Sequence, residues 1–131
     1  MKSRSFTCIP THLIYLLDND CLKLMSILIQ QESYQINSNI IKEGEYFKLS
    51  IINISIDLGF KNRIDTHCVI QALVNSLLID VKTESQKFEI ARFKINWENI
   101  EKIQKLKLCE MRLIENRICK LSRKDDLNYY K

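Results

Sequence analysis

Turn-forming residues are scarce: 131 residues hold two glycines and one proline. A many-turned β-sandwich or barrel needs such residues every few strands, so that class is set aside. Gly44 and Gly59 alone cannot write the glycine-rich loops that cradle phosphates in P-loop and dinucleotide folds. No run of eighteen apolar residues exists, which leaves no membrane-spanning segment, and residues 1–10 carry charge without the apolar stretch of a signal peptide. A cytoplasmic protein is expected. The five cysteines, Cys8, Cys21, Cys68, Cys109 and Cys119, are odd in number and form no C-x-x-C pair. With only His12 and His67 to join them, neither a disulfide framework nor a metal site is expected, and buried thiols are the simpler reading. Enzyme signatures such as G-x-S-x-G and H-E-x-x-H are missing as well, so no catalytic residue, cofactor or small-molecule substrate is expected.

What is present suits one domain with an extension. Apolar residues make up 46% of the chain, enough for a core, and charged residues 27%. The net charge of +4 is uneven, since the basic excess lies after residue 57. Such an excess permits an acidic partner without demanding one.

Along the chain, a helical turn is expected over residues 12–17. Asp18 and Asp20 are both good caps for a helix whose apolar positions, Cys21, Leu24, Met25 and Leu28, recur at i, i+3, i+4, i+7 and which ends near Gln31. Residues 32–45 read as a polar loop and Tyr46 to Leu49 as a short strand. Ser50 caps a two-turn helix stopped by Gly59, and Asn62 caps a second one bearing Ile64, Cys68, Val69, Ala72 and Leu73. Residues 77–81 and 88–95 form a β-hairpin, with a bulge expected near Ala91 or Arg92 where the apolar parity changes. Asn96 then caps a helix expected over residues 97–121, about 37 Å long, before a charged tail at 122–131.

The stretch Ser50-Ile51-Ile52-Asn53-Ile54-Ser55-Ile56-Asp57-Leu58-Gly59-Phe60 resembles the first helix and turn of a winged helix-turn-helix. Ser50 stands at the cap, Ser55 is small where helices cross, and Leu58-Gly59-Phe60 makes the turn. Residues 69–79 look like the end of a recognition helix entering a wing strand, and Phe93-Lys94-Ile95-Asn96-Trp97 like the closing strand entering a last helix. The chain is thus similar, over residues 9–100, to small winged-helix proteins of bacterial plasmids, phages and other mobile elements. The resemblance implies an α+β fold, with a three-helix core and a β-hairpin wing over residues 1–96. It also implies sequence-specific binding of double-stranded DNA, in transcription regulation or initiation of replication.

For DNA the expected contacts are Lys61, Asn62, Arg63, Thr66, His67 and Gln71 on the second motif helix, Ser50 at the start of the first, and Lys82 and Lys87 on the hairpin. Arg63 can donate two hydrogen bonds to guanine, Thr66 can meet phosphate or a thymine methyl, and Lys61 and Asn62 sit where a helix N-terminus favours phosphate. Asp65 in their midst opposes this, and a charged first turn is more commonly just solvated. Ile52, Ile56, Ile70 and Val74 fall on faces expected to point outward, so something must cover them. That is either the chain's own ends or a partner, which gives a competing class: a winged-helix interaction module without DNA binding. The stripe Met111, Ile114, Ile118 and Leu121 is the candidate surface for a homodimer.

Overall fold

The computed structural model describes residues 11–83 and 90–105. A short helix, α1 (Thr11–Leu16), precedes the longest one, α2 (Asn19–Asn37). Asp18 starts α2 from an extended conformation, its Oδ1 accepting the Cys21 N–H at 2.9 Å. Asp20 falls in the first turn instead, where a negative charge meets the positive end of the helix. Cys21, Leu24, Met25 and Leu28 are buried, as their spacing requires. The same stripe continues through Ile29, Glu32 and Gln35, which carries α2 to Asn37 rather than to the expected end near Gln31. Polar residues on the inward face concealed the continuation. Both are satisfied, Glu32 Oε1 by the Trp97 Nε1–H at 2.9 Å and the Gln35 amide by the Lys48 carbonyl at 3.3 Å.

Three antiparallel strands, β1 (Phe47–Ser50), β2 (Ile79–Thr83) and β3 (Ile90–Ile95), lie in the order β1-β3-β2. The register sets Phe93 between Phe47 and Val81, and Arg92 between Lys48 and Lys82. Phe47, Ile79, Ala91, Phe93 and Ile95 face the core, and the Phe47 and Phe93 rings stack with centroids 6.2 Å apart. The bulge expected near Ala91 or Arg92 does not occur within β3. Pairing runs unbroken, because Ala91 takes the inward position and Ile90 points out at 45% exposure.

Ser50 Oγ accepts the Asn53 N–H at 3.4 Å and opens α3 (Ile51–Leu58). Gly59 closes it at φ 77°, ψ 22°, a left-handed conformation that favours glycine. Its N–H reaches the Ile56 carbonyl at 3.0 Å, and the next N–H, of Phe60, reaches Ser55 at 2.9 Å. Asn62 Oδ1 accepts the Asp65 N–H at 3.1 Å and starts α4 (Arg63–Asn75).

In α4 every residue from Thr66 to Val74 is buried. Nine consecutive residues make two and a half turns, so this part of the helix is enclosed on all sides rather than along one stripe. It packs against α2, α3 and β2. After a left-handed residue at Leu77 (φ 61°), the last described helix, α5 (Trp97–Gln104), is capped by Asn96, whose Oδ1 accepts the Asn99 N–H at 3.2 Å. The Asn96 N–H and the Asn99 side chain bond the Leu78 and Leu77 carbonyls at 2.9 and 2.8 Å, and these bonds tie α5 to the turn after α4. The helix expected over residues 97–121 is described as far as Gln104. The architecture is α+β, five helices with a small antiparallel sheet among the described residues, an arrangement compatible with a winged helix.

Candidate nucleic-acid interface

The Gly59 turn delivers three consecutive exposed polar residues, Lys61, Asn62 and Arg63, to the start of α4. Asn62 is held by its capping bond. Arg63 stands in the first turn, where α4 leaves the body of the protein. Ile64 beside it is 42% exposed, so it belongs to this surface rather than to the core as its apolar character had suggested. Asp65 is half-buried and its N–H is taken by Asn62, so it acts as a first-turn acid that stabilises the helix.

The remaining contacts expected on α4 do not share this surface. Thr66 and Gln71 are fully buried and His67 is 5% exposed. Each has a structural reason. Ser55 Oγ donates to the Ile51 carbonyl at 2.9 Å, so its one proton is committed, and the Thr66 hydroxyl therefore donates to Ser55 Oγ at 2.5 Å across the α3–α4 crossing. Gln71 Nε2 donates to Asn75 Oδ1 at 2.9 Å within the helix. Burial, followed by the nearby Arg63 guanidinium, lowers the His67 pKa below its ordinary 6.5, so this imidazole is neutral at pH 7 and adds no cation. Ile70 and Val74 are covered too, at 0% and 9% exposure. The outward face assigned to α4 is thus an interior face beyond its first turn.

Of the other expected contacts, Ser50 is spent as the cap of α3, and Lys82 lies exposed on β2 with its Nζ 4.5 Å from the Tyr46 ring centroid. Lys87 lies outside the described residues, as do Met111, Ile114, Ile118 and Leu121. On α3, Ile52 and Ile56 do point outward, at 46% and 68% exposure. Ile56 borders an open cleft of about 350 Å³, lined also by Ile27, Gln31, Leu49 and Asp57.

Residues that sequence reasoning passed over lie on the solvent side of the sheet: Lys48, Arg92 and Lys94, the last with its Nζ 5.7 Å from the Tyr46 ring centroid. Their alternation with buried neighbours was visible, but their meeting across three strands depends on a register that only the folded chain reveals. Among the described residues no group of three His, Cys, Asp or Glu is placed to hold a metal ion, and no helix is long and apolar enough to cross a membrane. No family model, curated protein or solved structure matches the chain.

Proposed function

We propose that this protein binds double-stranded DNA through the first turn of α4, as a regulator of transcription or an initiator of replication. The observation that carries the reading is the order of elements: helix α2, strand β1, helix α3, a glycine turn, helix α4, then the β2–β3 hairpin, with strand order β1-β3-β2. That order is compatible with a winged helix-turn-helix, and the α4 end left accessible by the core carries Lys61, Asn62 and Arg63. The N-terminal end of a helix suits a groove lined with phosphate, because its backbone N–H groups and dipole attract anions. Arg63 carries a planar guanidinium whose fork matches the two acceptors of a guanine edge. Lys61 and Lys82 meet backbone phosphates, which position the protein without reading sequence.

Burial of Thr66, His67 and Gln71 narrows the base-reading surface to one helical turn. Binding therefore draws most of its affinity from phosphate contacts, with modest discrimination per site. A second copy joined through residues 111–121 offsets this by placing two such turns on an inverted repeat. Sedimentation equilibrium measures that step, and a monomeric mass removes it.

The experiment for the reading is salt titration of wild-type protein on duplex DNA, followed by fluorescence anisotropy. Logarithmic affinity falls linearly with logarithmic salt, by about 0.9 for each phosphate neutralised. Lys61→Ala with Arg63→Ala makes that slope shallower by about 1, through the phosphate contact of Lys61. Absence of binding at low salt sinks the proposal. It would favour the interaction-module reading, which rests on the exposed Ile52 and Ile56 beside the α2–α3 cleft.

A further inference from the structure

The outward positions of the three strands are Lys48 on β1, Asp80 and Lys82 on β2, and Ile90, Arg92 and Lys94 on β3. Their alternation with Phe47, Ile79, Ala91, Phe93 and Ile95, all buried, fixes which side they take. The register then does something the strands do not show singly. Arg92 is directly opposite Lys48 on one side and Lys82 on the other, so three cations stand in a row across the whole sheet. At the usual strand spacing of about 4.8 Å, that row spans about 10 Å.

Like charges placed directly opposite each other weaken a sheet. Nothing in the core requires them at these solvent-facing positions. Lys94 extends the patch and is opposite Asp80, so among the described residues the face sets four cations against one carboxylate. Tyr46, just before β1, organises it. The Lys82 ammonium lies 4.5 Å from the ring centroid and that of Lys94 5.7 Å, so one aromatic ring gathers charges from two strands.

We infer that the solvent face of the sheet carries the phosphate backbone of a nucleic-acid strand across the row Lys48–Arg92–Lys82. Charge complementarity and spacing both favour such a strand. A row of like charges suits a ligand whose own charge repeats, rather than one isolated anion. The Tyr46 ring face under Lys82 is occupied by that ammonium, so the contact is with backbone rather than with a stacked base, and it is independent of sequence. Lys48 and Arg92 keep other interactions within the chain, to which phosphate contacts are added or for which they exchange. Lys82 is shared with the α4 reading, whereas Lys48 and Arg92 belong to the sheet face alone, so Arg92→Gln by itself tells the two apart.

The test uses the full chain with Lys48→Gln, Lys82→Gln and Arg92→Gln combined, substitutions that keep the aliphatic stems. Circular dichroism establishes the fold, and Arg92→Gln alone serves if the triple variant does not fold. On random-sequence duplex, the slope of logarithmic affinity against logarithmic salt becomes shallower by about 2 to 3 for the triple variant and by about 1 for the single one. The loss is equal on every sequence tried. An unchanged slope overturns the inference. Sedimentation with phosphatidylserine vesicles is the second arm. Vesicle binding lost in the triple variant while its DNA slope stays unchanged assigns the face to a membrane surface and also overturns it. Lys61→Ala with Arg63→Ala separates the two readings. If only that pair alters the slope, the α4 reading stands and this one fails; if only the sheet variants do, the reverse holds.

Discussion

The hydroxyl pair of Ser55 and Thr66 decides whether Thr66 holds two helices together or reads DNA. Ser55 gives its proton to the Ile51 carbonyl and accepts from Thr66, and both residues are buried. Ser55→Ala leaves the Thr66 hydroxyl without its acceptor in a site that is 0% exposed. An unsatisfied buried polar group costs about 1–3 kcal/mol. Thr66→Val removes the donor instead. It forfeits a neutral hydrogen bond of about 0.5–1.5 kcal/mol, offset by burial of a methyl group at about 0.8 kcal/mol. Thr66→Val is therefore the milder of the two, between about −0.3 and 0.7 kcal/mol on those figures. In the double variant the stranded hydroxyl no longer exists, so its cost is smaller than the two single costs added. The difference, about 0.5–1.5 kcal/mol, is the coupling energy. Urea unfolding of the four proteins measures it, and duplex affinity is measured in parallel. Strict additivity refutes the bond. So does a Thr66→Val protein of wild-type stability that has lost tenfold in DNA affinity, since that hydroxyl would then have to reach the DNA.

The other perturbations act on the turn and on protonation. Gly59→Ala puts a Cβ where no atom lies within 4 Å, so its cost is conformational alone. It lowers stability by about 1–2 kcal/mol, and Gly59→Asn by less, as read by the urea midpoint. Folded His67 has a lowered pKa, chiefly from burial, so it holds its proton less tightly than the unfolded chain does. Stability is accordingly full above pH 6.5 and declines as pH falls below it, a decline that His67→Gln flattens. Glu32 is raised above 4.5, mainly by burial and against the Trp97 hydrogen bond, so its contribution is full below that pH and is lost as pH rises through the folded pKa. Glu32→Gln keeps an acceptor for Trp97 and removes that loss, so it is more stable than wild type at pH 7 by the same measurement.

Local chemistry was legible in the sequence wherever it was decided by neighbours a few residues away. The caps Asp18, Ser50, Asn62 and Asn96 and the left-handed stop at Gly59 all act as read, because a cap bonds the N–H three residues on and needs no tertiary partner. What was not legible depended on distant contacts. Thr66, His67 and Gln71 are ordinary surface residues by type, and only the crossing with Ser55 and the packing around α4 turn them inward. Glu32 and Gln35 looked like the start of a loop, because Trp97, 65 residues beyond Glu32, supplies the bond that lets a carboxylate sit on a buried stripe. The candidate interface was half legible in the same sense. Lys61, Asn62 and Arg63 stand where the cap places them, whereas the cation row on the sheet exists only through strand register.

On the proposed reading, the accessible turn of α4 meets base edges through Arg63. Its direct measurement is affinity for a panel of duplexes differing at single positions of a selected binding site, with wild type and Arg63→Ala compared by anisotropy at one salt concentration. The variant is expected to lose about 1–3 kcal/mol of discrimination at one base pair, while ranking the others as wild type does. A variant that discriminates at every position as wild type does would contradict it.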